Sequence, residues 1–468
     1  MVGIVSYGAY VPMLRLSLGA ASGRPKPGGP ERAVANWDED AVTMAVAAAV
    51  DCLRGRDRAA VDAVLFASTS YAFKEKQGAA IIAKALDLRR DVQTTDVGDS
   101  LRAGTNALRL AVDAVRAGSA AQVLVVASDT RMAAPRSALE AGIGDAAAAF
   151  LIGDDEVAVG LEATHAIADE IIDVWRSEGD PFVHTWEDRF VTEHGYRQNV
   201  VEVVRGLLQK TGLEPKDVTT AVLYGPDARS HAAAVRSLKL EPGAQVADPL
   251  FGKLGNAGAA FTPLLLAAAL ETAKAGQRLL VVAYGDGADA TLWQTTAQVE
   301  RLEGQRGVSW HLARRAELPS YDMYLRFRQL VATEHDRRAG AGLSATKHFR
   351  ERDAEVSLHG QQCRRCGTVQ YPRQRVCYQC FAKDDFEALR LSDRVGSVKS
   401  FTFDMFAGSP NPPLVAGIVD VEGARLYIQM TDVNPKEVTL GMPVELTFRK
   451  IHEAGGTPNY YWKSTPVR

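Results

Sequence analysis

The stretch AGSAAQVLVVA at residues 117–127 returns with small changes as AGQRLLVVA at residues 275–283. A second pair of stretches, AVLF at residues 63–66 and AVLY at residues 221–224, has the same offset of 158 residues as the two Ala-Gly pairs. Chance similarity between α/β elements is the alternative. A nearly constant offset over three elements instead favours a duplicated α/β unit, and we predict one.

The two predicted halves, residues 1–160 and 161–335, alternate short apolar runs with Ala-rich helical stretches. Nearly continuous apolar strands separated by helices are typical of a buried sheet in an α/β protein. The opening of the chain adds a first strand, which ends at a Gly/Pro turn. The predicted strands are Val2–Tyr7, Ala63–Ala67, Gln122–Ala127, Thr220–Tyr224 and Arg278–Tyr284.

Composition excludes several classes of protein. The chain has 468 residues, of which 46% are hydrophobic and 24% charged, so about three globular domains are expected. The net charge of -3 argues against a general nucleic-acid or membrane-surface binder. No run of 18 apolar residues occurs, and the opening MVGIVSYGAYVP does not resemble a signal peptide. We therefore predict a cytoplasmic protein with no membrane and no nucleic-acid partner.

The last part of the chain has a different character. Residues 336–360 are interpreted as a linker with a helix, including a Gly/Ala break at 339–342. A cysteine cluster follows at residues 361–385. Residues 386–468 contain short strand-like runs separated by turn residues, which predicts a small barrel of the OB type. The predicted strands there are Val395–Phe403, Leu414–Val421, Ala424–Gln429 and Pro443–Arg449.

Four of the five cysteines form two knuckles, Cys363-x2-Cys366 and Cys377-x2-Cys380, separated by ten residues. Two such pairs suit the tetrahedral thiolate shell that Zn²⁺ prefers, and four thiolates leave no open position for water. We therefore predict a structural zinc site, with free thiols or an iron site as the alternatives. Cys52 lies alone in an Ala-rich helix and is interpreted as a core residue.

Several loops at strand and helix ends carry candidate site residues. Ser100 precedes the Ala-rich helix 105–117, where the positive end of the helix dipole favours an anion or alkoxide. An N-cap role is the simpler interpretation of Ser100. Asn256 offers an amide in a Gly-rich turn before the matching helix of the second half. The turn that contains Gly285 and Gly287 is able to aim N–H groups at an oxyanion, although this signal is weak.

With these residues in view, residues 1–335 resemble the 3-hydroxy-3-methylglutaryl-CoA synthases of the thiolase superfamily, especially the archaeal type. The remainder resembles the zinc-ribbon and OB-fold proteins called DUF35, here fused to the first part. The resemblance implies a five-layered α-β-α-β-α fold of two duplicated halves, a homodimer and an acyl-CoA thioester as substrate. The similar stretches include MVGIVSYGAYVP, Asp173–Arg176, Gly104–Gly118, Gly252–Asn256 and Ser320–Arg326.

The chain departs from the family at most positions of the family's catalytic set. Ser100 stands where the resemblance implies an acylated Cys, and Tyr224 stands where it implies a His. Thr69 falls near the position of the acid/base Glu. Only Asn256 is retained. A serine needs an adjacent base, so synthase activity through a covalent acyl-enzyme is not expected.

Three functions remain open. The first is an aldol or retro-aldol reaction of a β-hydroxyacyl-CoA, with Tyr224 as acid/base at a lowered pKa and Asn256, Gly285 and Gly287 stabilising the enolate. Thr69 is then a substrate-binding residue. The second is a Claisen-type condensing enzyme or acyltransferase that uses Ser100 as nucleophile. The third is a non-catalytic scaffold that binds acyl-CoA. OB-type barrels often bind nucleic acid, but the acyl-CoA partner domain argues against that role here.

Overall fold

The computed structural model describes residues 1–302, 305–331 and 344–467, and it divides into two compact units. The predicted domain limits stay predictions, and the predicted Gly/Ala break at 339–342 lies outside the described residues. The second unit includes two short segments from the first hundred residues, which the sequence did not indicate. The first unit is Met1–Asn36, Asp40–Ala83 and Leu88–Tyr324, and the second is Trp37–Glu39, Lys84–Asp87 and Leu325–Arg468.

The strands of the first unit follow the apolar runs of the sequence closely. Two predicted strands, Ala63–Ala67 and Arg278–Tyr284, have the predicted bounds at both ends. Its strands are β1 (Gly3–Tyr10), β2 (Leu14–Ser17), β3 (Glu31–Val34), β4 (Ala63–Ala67), β5 (Gln93–Val97), β6 (Val123–Asp129), β7 (Ala146–Gly153), β8 (Val159–Ala168), β9 (Val174–Trp175), β10 (His184–Thr185), β11 (Thr220–Leu223), β12 (Arg278–Tyr284), β13 (Gly287–Thr295) and β14 (Ala316–Glu317).

Helices connect these strands, and α9 runs from the first unit into the second. Among the described residues, no helix has both the length and the apolar character needed to cross a bilayer. The helices are α1 (Ala41–Cys52), α2 (Gly78–Ala85), α3 (Ala103–Arg116), α4 (Asp188–Phe190), α5 (Gln198–Thr211), α6 (Ala228–Ser237), α7 (Phe261–Leu270), α8 (Val308–Ala313) and α9 (Tyr321–Phe327).

The described residues of the first unit contain a nine-stranded sheet with the order β11-β12-β13-β8-β1-β7-β6-β4-β5. Strands β1 and β8 pair at only two positions, so the sheet divides there into two halves. In one half β4 runs parallel to β6, and β6 runs antiparallel to β7. Strands β11, β12 and β13 repeat that arrangement in the other half. The sequence repeat is therefore also a repeat of topology.

Helices α3 and α7 form the middle layer of a five-layered α-β-α-β-α fold, as predicted. Helix α3 packs on β4, β6 and β7, and α7 packs on β7, β11, β12 and α3. Helices α1 and α5 cover the outer sides of the two halves. The crossing of the middle helices requires a small residue, because a Cβ at Gly104 would lie 2.3 Å from the Ala259 carbonyl oxygen.

The second unit holds a three-stranded ribbon sheet and a closed five-stranded barrel. The barrel order is β18-β19-β20-β22-β21, so the last strand lies between the third and the fourth. The sequence predicted four of its strands but not β22, whose residues are largely polar or aromatic. The elements are α10 (Ala345–Glu355), β15 (His359–Cys363), β16 (Val369–Gln370), β17 (Phe386–Arg390), β18 (Gly396–Asp404), β19 (Leu414–Val421), β20 (Ala424–Met430), β21 (Pro443–Ala454) and β22 (Thr457–Pro466).

A cluster of buried charges lies inside the second unit. The Lys463 ammonium is 2.9 Å from Asp38 Oδ2, and both side chains are fully buried. Arg449 lies 2.7 Å from Asp432 and also pairs with Glu39. The segment 37–39 therefore supplies two of the anions that neutralise cations in β21 and β22. Removing such a partner from a buried pair leaves an uncompensated charge.

Candidate active site

A cleft of about 1150 Å³ opens in the first unit beside the start of α3. Its walls come from residues 66–77, 95–101 and 173–183, with Gly285 and Asp286 at one side. Loops that follow sheet strands therefore build much of the cleft, as is common in α/β proteins. Among the predicted site residues, Thr69, Ser100 and Gly285 line it.

Tyr224 and Asn256 meet behind the cleft wall. The Asn256 amide donates a hydrogen bond to the Tyr224 hydroxyl oxygen at 2.8 Å. Its carbonyl oxygen accepts hydrogen bonds from the Arg131 guanidinium at 3.1 Å and from the Gly258 N–H at 2.9 Å. These two donors fix the orientation of the amide, so that its NH₂ group faces the phenol. Arg131 itself lines the cleft.

The environment of Tyr224 is apolar and aromatic. Its ring lies within 6.2 Å, centroid to centroid, of the rings of Tyr196, Phe261 and Tyr284. Burial raises the pKa of Tyr224 to about 12, with Arg131 and the Asn256 hydrogen bond acting in the opposite direction. The expectation of a lowered pKa is therefore wrong, because desolvation outweighs the two stabilising neighbours. Tyr224 is therefore neutral at physiological pH.

Ser100 has only backbone partners among the hydrogen bonds of the described residues. Its hydroxyl donates to the Gly285 carbonyl at 3.4 Å and accepts the Arg102 N–H at 3.3 Å. Helix α3 begins at Ala103, so Ser100 is not its N-cap. The preceding Asp99 has a left-handed backbone with φ of 64°. This turn aims Ser100 at the loop after β12, and no side-chain base accompanies it.

The loop with Gly285 and Gly287 is held by Arg102. The guanidinium contacts the Gly285 carbonyl, donates to the Asp286 carbonyl at 2.7 Å and pairs with Asp289 at 3.0 Å. The Gly285 N–H donates to the Gly287 carbonyl at 3.0 Å. That N–H is therefore already used inside the turn and is not free to bind an oxyanion, in contrast to the expectation.

Thr69 belongs to a cluster around the buried carboxylate of Asp129. Its N–H and hydroxyl donate to Asp129 at 2.7 and 2.9 Å. Ser68, Ser70 and the Ala259 N–H complete five hydrogen bonds to that carboxylate. The Thr69 hydroxyl is thus committed to Asp129, although the residue lines the cleft. Asp129 is the last residue of β6, and the sequence did not indicate it as a site residue.

Asp173 is a second site residue that the sequence did not indicate. It lines the cleft and comes directly before β9. Burial raises the pKa of this carboxyl, while the Tyr284 hydroxyl and the positive charge of Arg131 oppose the shift. A cleft carboxylate whose proton affinity is raised by burial is a candidate general base. Its presence in the stretch Asp173–Arg176 was the available signal.

The four cysteines of the second unit come together as predicted. Their sulfur atoms all lie within 4.8 Å of one another, with Cys363 and Cys380 at 3.6 Å and Cys366 and Cys377 also at 3.6 Å. Zn–S bonds of about 2.3 Å in a tetrahedron require S···S distances of about 3.8 Å. The donor set and its spacing fit a structural zinc ion with no open coordination position.

Two family models match parts of the chain. Residues 208–294 match the C-terminal domain of 3-oxoacyl-[acyl-carrier-protein] synthase III, a range that holds Tyr224 and Asn256. Residues 353–387 match the rubredoxin-like zinc ribbon domain of ChsH2, which contains the four cysteines. The two units of the chain thus match families of different kinds.

Solved structures support the fold of the first part. A complex of MvaS with 3-hydroxy-3-methylglutaryl coenzyme A has a TM-score of 0.63 at 22% identity, covering 73% of this chain and 94% of that one. The HMG synthase of the curacin biosynthetic pathway, in complex with acetyl donor-ACP, has a TM-score of 0.61 at 20% identity. The match covers 70% of this chain and 88% of the chain in that structure.

Sequence relatives extend over the same part of the chain. The hydroxymethylglutaryl-CoA synthase of Methanocaldococcus jannaschii is 29% identical over 348 residues, which are 71% of this chain and 99% of the relative. The hydroxymethylglutaryl-CoA synthase of Archaeoglobus fulgidus is 31% identical over 345 residues, which are 71% of this chain and 99% of the relative. With a thiolase-type fold over the matched region and a zinc ribbon after it, the chain belongs to the hydroxymethylglutaryl-CoA synthase family of the thiolase superfamily.

Proposed function

We propose that the protein makes or breaks a carbon–carbon bond in a β-hydroxyacyl-CoA thioester by an aldol or retro-aldol reaction, without a covalent acyl-enzyme. The observation that carries this proposal is the partner of Asn256. Its amide donates to Tyr224, while Ser100 has backbone hydrogen-bond partners. The relatives' names and ligands support CoA thioesters as the substrate class.

In the retro-aldol direction, the Asp173 carboxylate accepts the proton of the substrate's β-hydroxyl. The Cα–Cβ bond then breaks, its electron pair moves to Cα and the thioester enolate, and the β-carbon leaves as an aldehyde or ketone. The protonated Asp173 returns the proton to Cα, which releases the shortened acyl-CoA. A base with a raised pKa is suited to both proton transfers. The aldol direction reverses these steps.

Tyr224 and Asn256 supply fixed dipoles near the developing negative charge. The Tyr224 oxygen accepts a hydrogen bond from Asn256, and in this proposal its own O–H donates toward the substrate. Neutral donors that are oriented before the reaction stabilise an enolate more in a water-poor site than in bulk water. Tyr224 therefore acts as a donor in this proposal, not as the base that the sequence suggested.

The Ser100 acyl-enzyme is the second candidate, and the hydrogen bonds around Ser100 argue against it. A serine nucleophile needs a base that removes its proton. The Ser100 hydroxyl donates instead to a carbonyl oxygen, which has no useful basicity. The scaffold candidate differs from both in predicting no turnover of any thioester.

The test supplies 3-hydroxybutyryl-CoA and 3-hydroxy-3-methylglutaryl-CoA and follows shorter acyl-CoA products by mass spectrometry. We expect Asp173→Asn to lower turnover by about 10²–10⁴-fold, whereas Ser100→Ala keeps more than a tenth of it. An acyl adduct on Ser100, with activity abolished in Ser100→Ala, would establish the acyltransferase instead. Complete absence of turnover with both thioesters would favour the scaffold.

A further inference from the structure

A row of three aromatic rings belongs to one wall of the cleft. The rings of Phe66 and Tyr71 meet edge to face with centroids 5.6 Å apart, and those of Tyr71 and Phe73 are also 5.6 Å apart. Phe66 is buried, whereas Tyr71 and Phe73 are partly exposed where they line the cleft. A Cβ at Gly78 would lie 2.6 Å from the Phe66 ring, so the start of α2 packs closely on this row. The aromatic row is therefore fixed by the fold before any ligand binds.

A second wall of the cleft also presents apolar side chains. Val174 and Trp175 line the cleft directly after Asp173. Val174 packs on a small buried core, and strand pairing with His184 holds the backbone of Trp175. The Trp175 residue is nevertheless 37% exposed. Apolar surface that stays exposed inside a concave site is typical of a place where a ligand binds.

Polar contacts join these two walls to each other. Lys74 of the first wall forms an ion pair with Glu178 of the second, and both side chains are exposed. The Arg176 guanidinium contacts the Thr69 carbonyl oxygen. These charged groups have partners within the chain, so the partly exposed aromatic rings are the surface that remains for a ligand.

We propose that the cleft selects a β-hydroxyacyl-CoA whose β-carbon carries a bulky, ring-containing apolar group, and that Phe73 and Trp175 determine this specificity. Asp173 accepts the β-hydroxyl proton in the proposed function and directly precedes Val174 and Trp175, so the substituent of the β-carbon lies beside that wall. Flat rings pack favourably against the edges and faces of aromatic side chains. This inference rests on the proposed function, in which the ring-bearing group leaves as an aldehyde or ketone. Short thioesters enter the same cleft and bind more weakly.

The experiment measures dissociation constants by calorimetry for the full chain with propionyl-CoA, 3-phenylpropionyl-CoA and nonanoyl-CoA. The first thioester lacks the ring, and the third has the same number of acyl carbons as the second in a linear chain. We expect 3-phenylpropionyl-CoA to bind about tenfold more tightly than propionyl-CoA, because the ring is removed from water. It should also bind about threefold more tightly than nonanoyl-CoA, because the flexible chain loses more conformational freedom on binding.

Three variants locate the specificity. The affinity ratio of 3-phenylpropionyl-CoA to propionyl-CoA should fall from about ten to about three or less in Phe73→Ala and in Trp175→Ala. Phe190→Ala is the matched control, because Phe190 is an aromatic residue of the same unit that is 53% exposed and does not line the cleft. The ratio should stay near ten in that variant.

Comparing two ligands on one variant separates recognition of the ring from a general disturbance of the site, because disturbance weakens both. A native ratio near one, an unchanged ratio in both Phe73→Ala and Trp175→Ala, or tighter binding of nonanoyl-CoA would overturn the proposal. None of the three probes has a β-hydroxyl group, so their binding is independent of the reaction. If the expected ratios hold but 3-hydroxy-3-phenylpropionyl-CoA is not converted to benzaldehyde and acetyl-CoA, the retro-aldol function fails and the ring specificity stands.

Discussion

At the residue scale, Asp173 determines how activity should depend on pH. A general base works as the carboxylate, so activity is present above its pKa and is lost as the pH falls through it. Because burial raises that pKa, the acid limb should lie above the ordinary aspartate range near 3.9. The pH profile of kcat/KM measures this limb. A limb at the ordinary value, or one that persists in Asp173→Asn, would contradict the assignment.

Tyr224 should show the opposite kind of behaviour. Its pKa is raised to about 12, so the phenol stays neutral and its ionisation should produce no loss of activity below about pH 10. Tyr224→Phe removes the donor and should reduce kcat by about 10²-fold with little change in the binding of butyryl-CoA. A Phe261→Leu variant, measured in the same way, separates loss of this donor from a general effect on the aromatic cluster. Unchanged kcat in Tyr224→Phe would exclude the proposed role.

The sequence located some residues of the site and missed others for identifiable reasons. Ser100, Tyr224 and Asn256 lie near the ends of strands or helices. The apolar runs of the sequence predict the positions of those ends well. The pKa of Tyr224 depends on rings from β12, α7 and the segment before α5, and no local pattern reports such a neighbourhood. Arg131 follows β6 as a charged residue at a strand end, and its burial becomes clear only in the folded chain.

At the element scale, the close crossing of α3 and α7 allows the packing of the middle layer to be tested. Gly104→Ala places a Cβ against the Ala259 carbonyl, where backbone has to move. We expect a loss of about 1–3 kcal/mol in the free energy of unfolding. Leu110→Ala, at an exposed position of the same helix, should cost less than about 0.5 kcal/mol. Equal effects of the two changes in denaturant unfolding would contradict the close crossing.

The zinc ribbon predicts the metal content directly. The purified chain should contain one zinc ion, and Cys377→Ser should lose it because a tetrahedral site needs all four thiolates. Cys52→Ala removes a buried cysteine of the first unit and should retain the ion. Elemental analysis by mass spectrometry checks both variants. Retention of zinc in Cys377→Ser would show that the ligand set is wrong.

The cysteine spacing predicted this site better than any other part of the chain, because both knuckles are local in sequence. The strands were predicted with less uniform accuracy than the zinc site. The apolar runs of β4, β12 and β19 gave their bounds in full. Strand β22 was not predicted because its buried residues include Lys463, Ser464 and Thr465, a composition that resembles a polar loop.

At the scale of the whole molecule, the chain is not divided at one point. The second unit contains Asp38 and Glu39, which pair with Lys463 and Arg449 more than 400 residues later in the sequence. Ion pairs of this separation leave no local trace, so the predicted boundary near residue 335 could not include segment 37–39.

Glu39→Gln tests this arrangement. Removing one partner of a buried pair should lower the free energy of unfolding by about 3–5 kcal/mol. Glu387→Gln, at an exposed position of the same unit, should change it by less than about 0.5 kcal/mol. Denaturant unfolding followed by tryptophan fluorescence compares the two, since Trp37 and Trp462 belong to this unit. Similar stability of both variants would contradict the burial of this pair.

The central claim, a retro-aldol reaction with proton return from Asp173, is tested most directly by turnover of 3-hydroxy-3-methylglutaryl-CoA in D₂O. The claim predicts acetyl-CoA that carries one deuterium at Cα, together with an unmodified protein in the mass spectrum of the intact chain. Acetyl-CoA without deuterium, or an acyl group retained on Ser100, would contradict it.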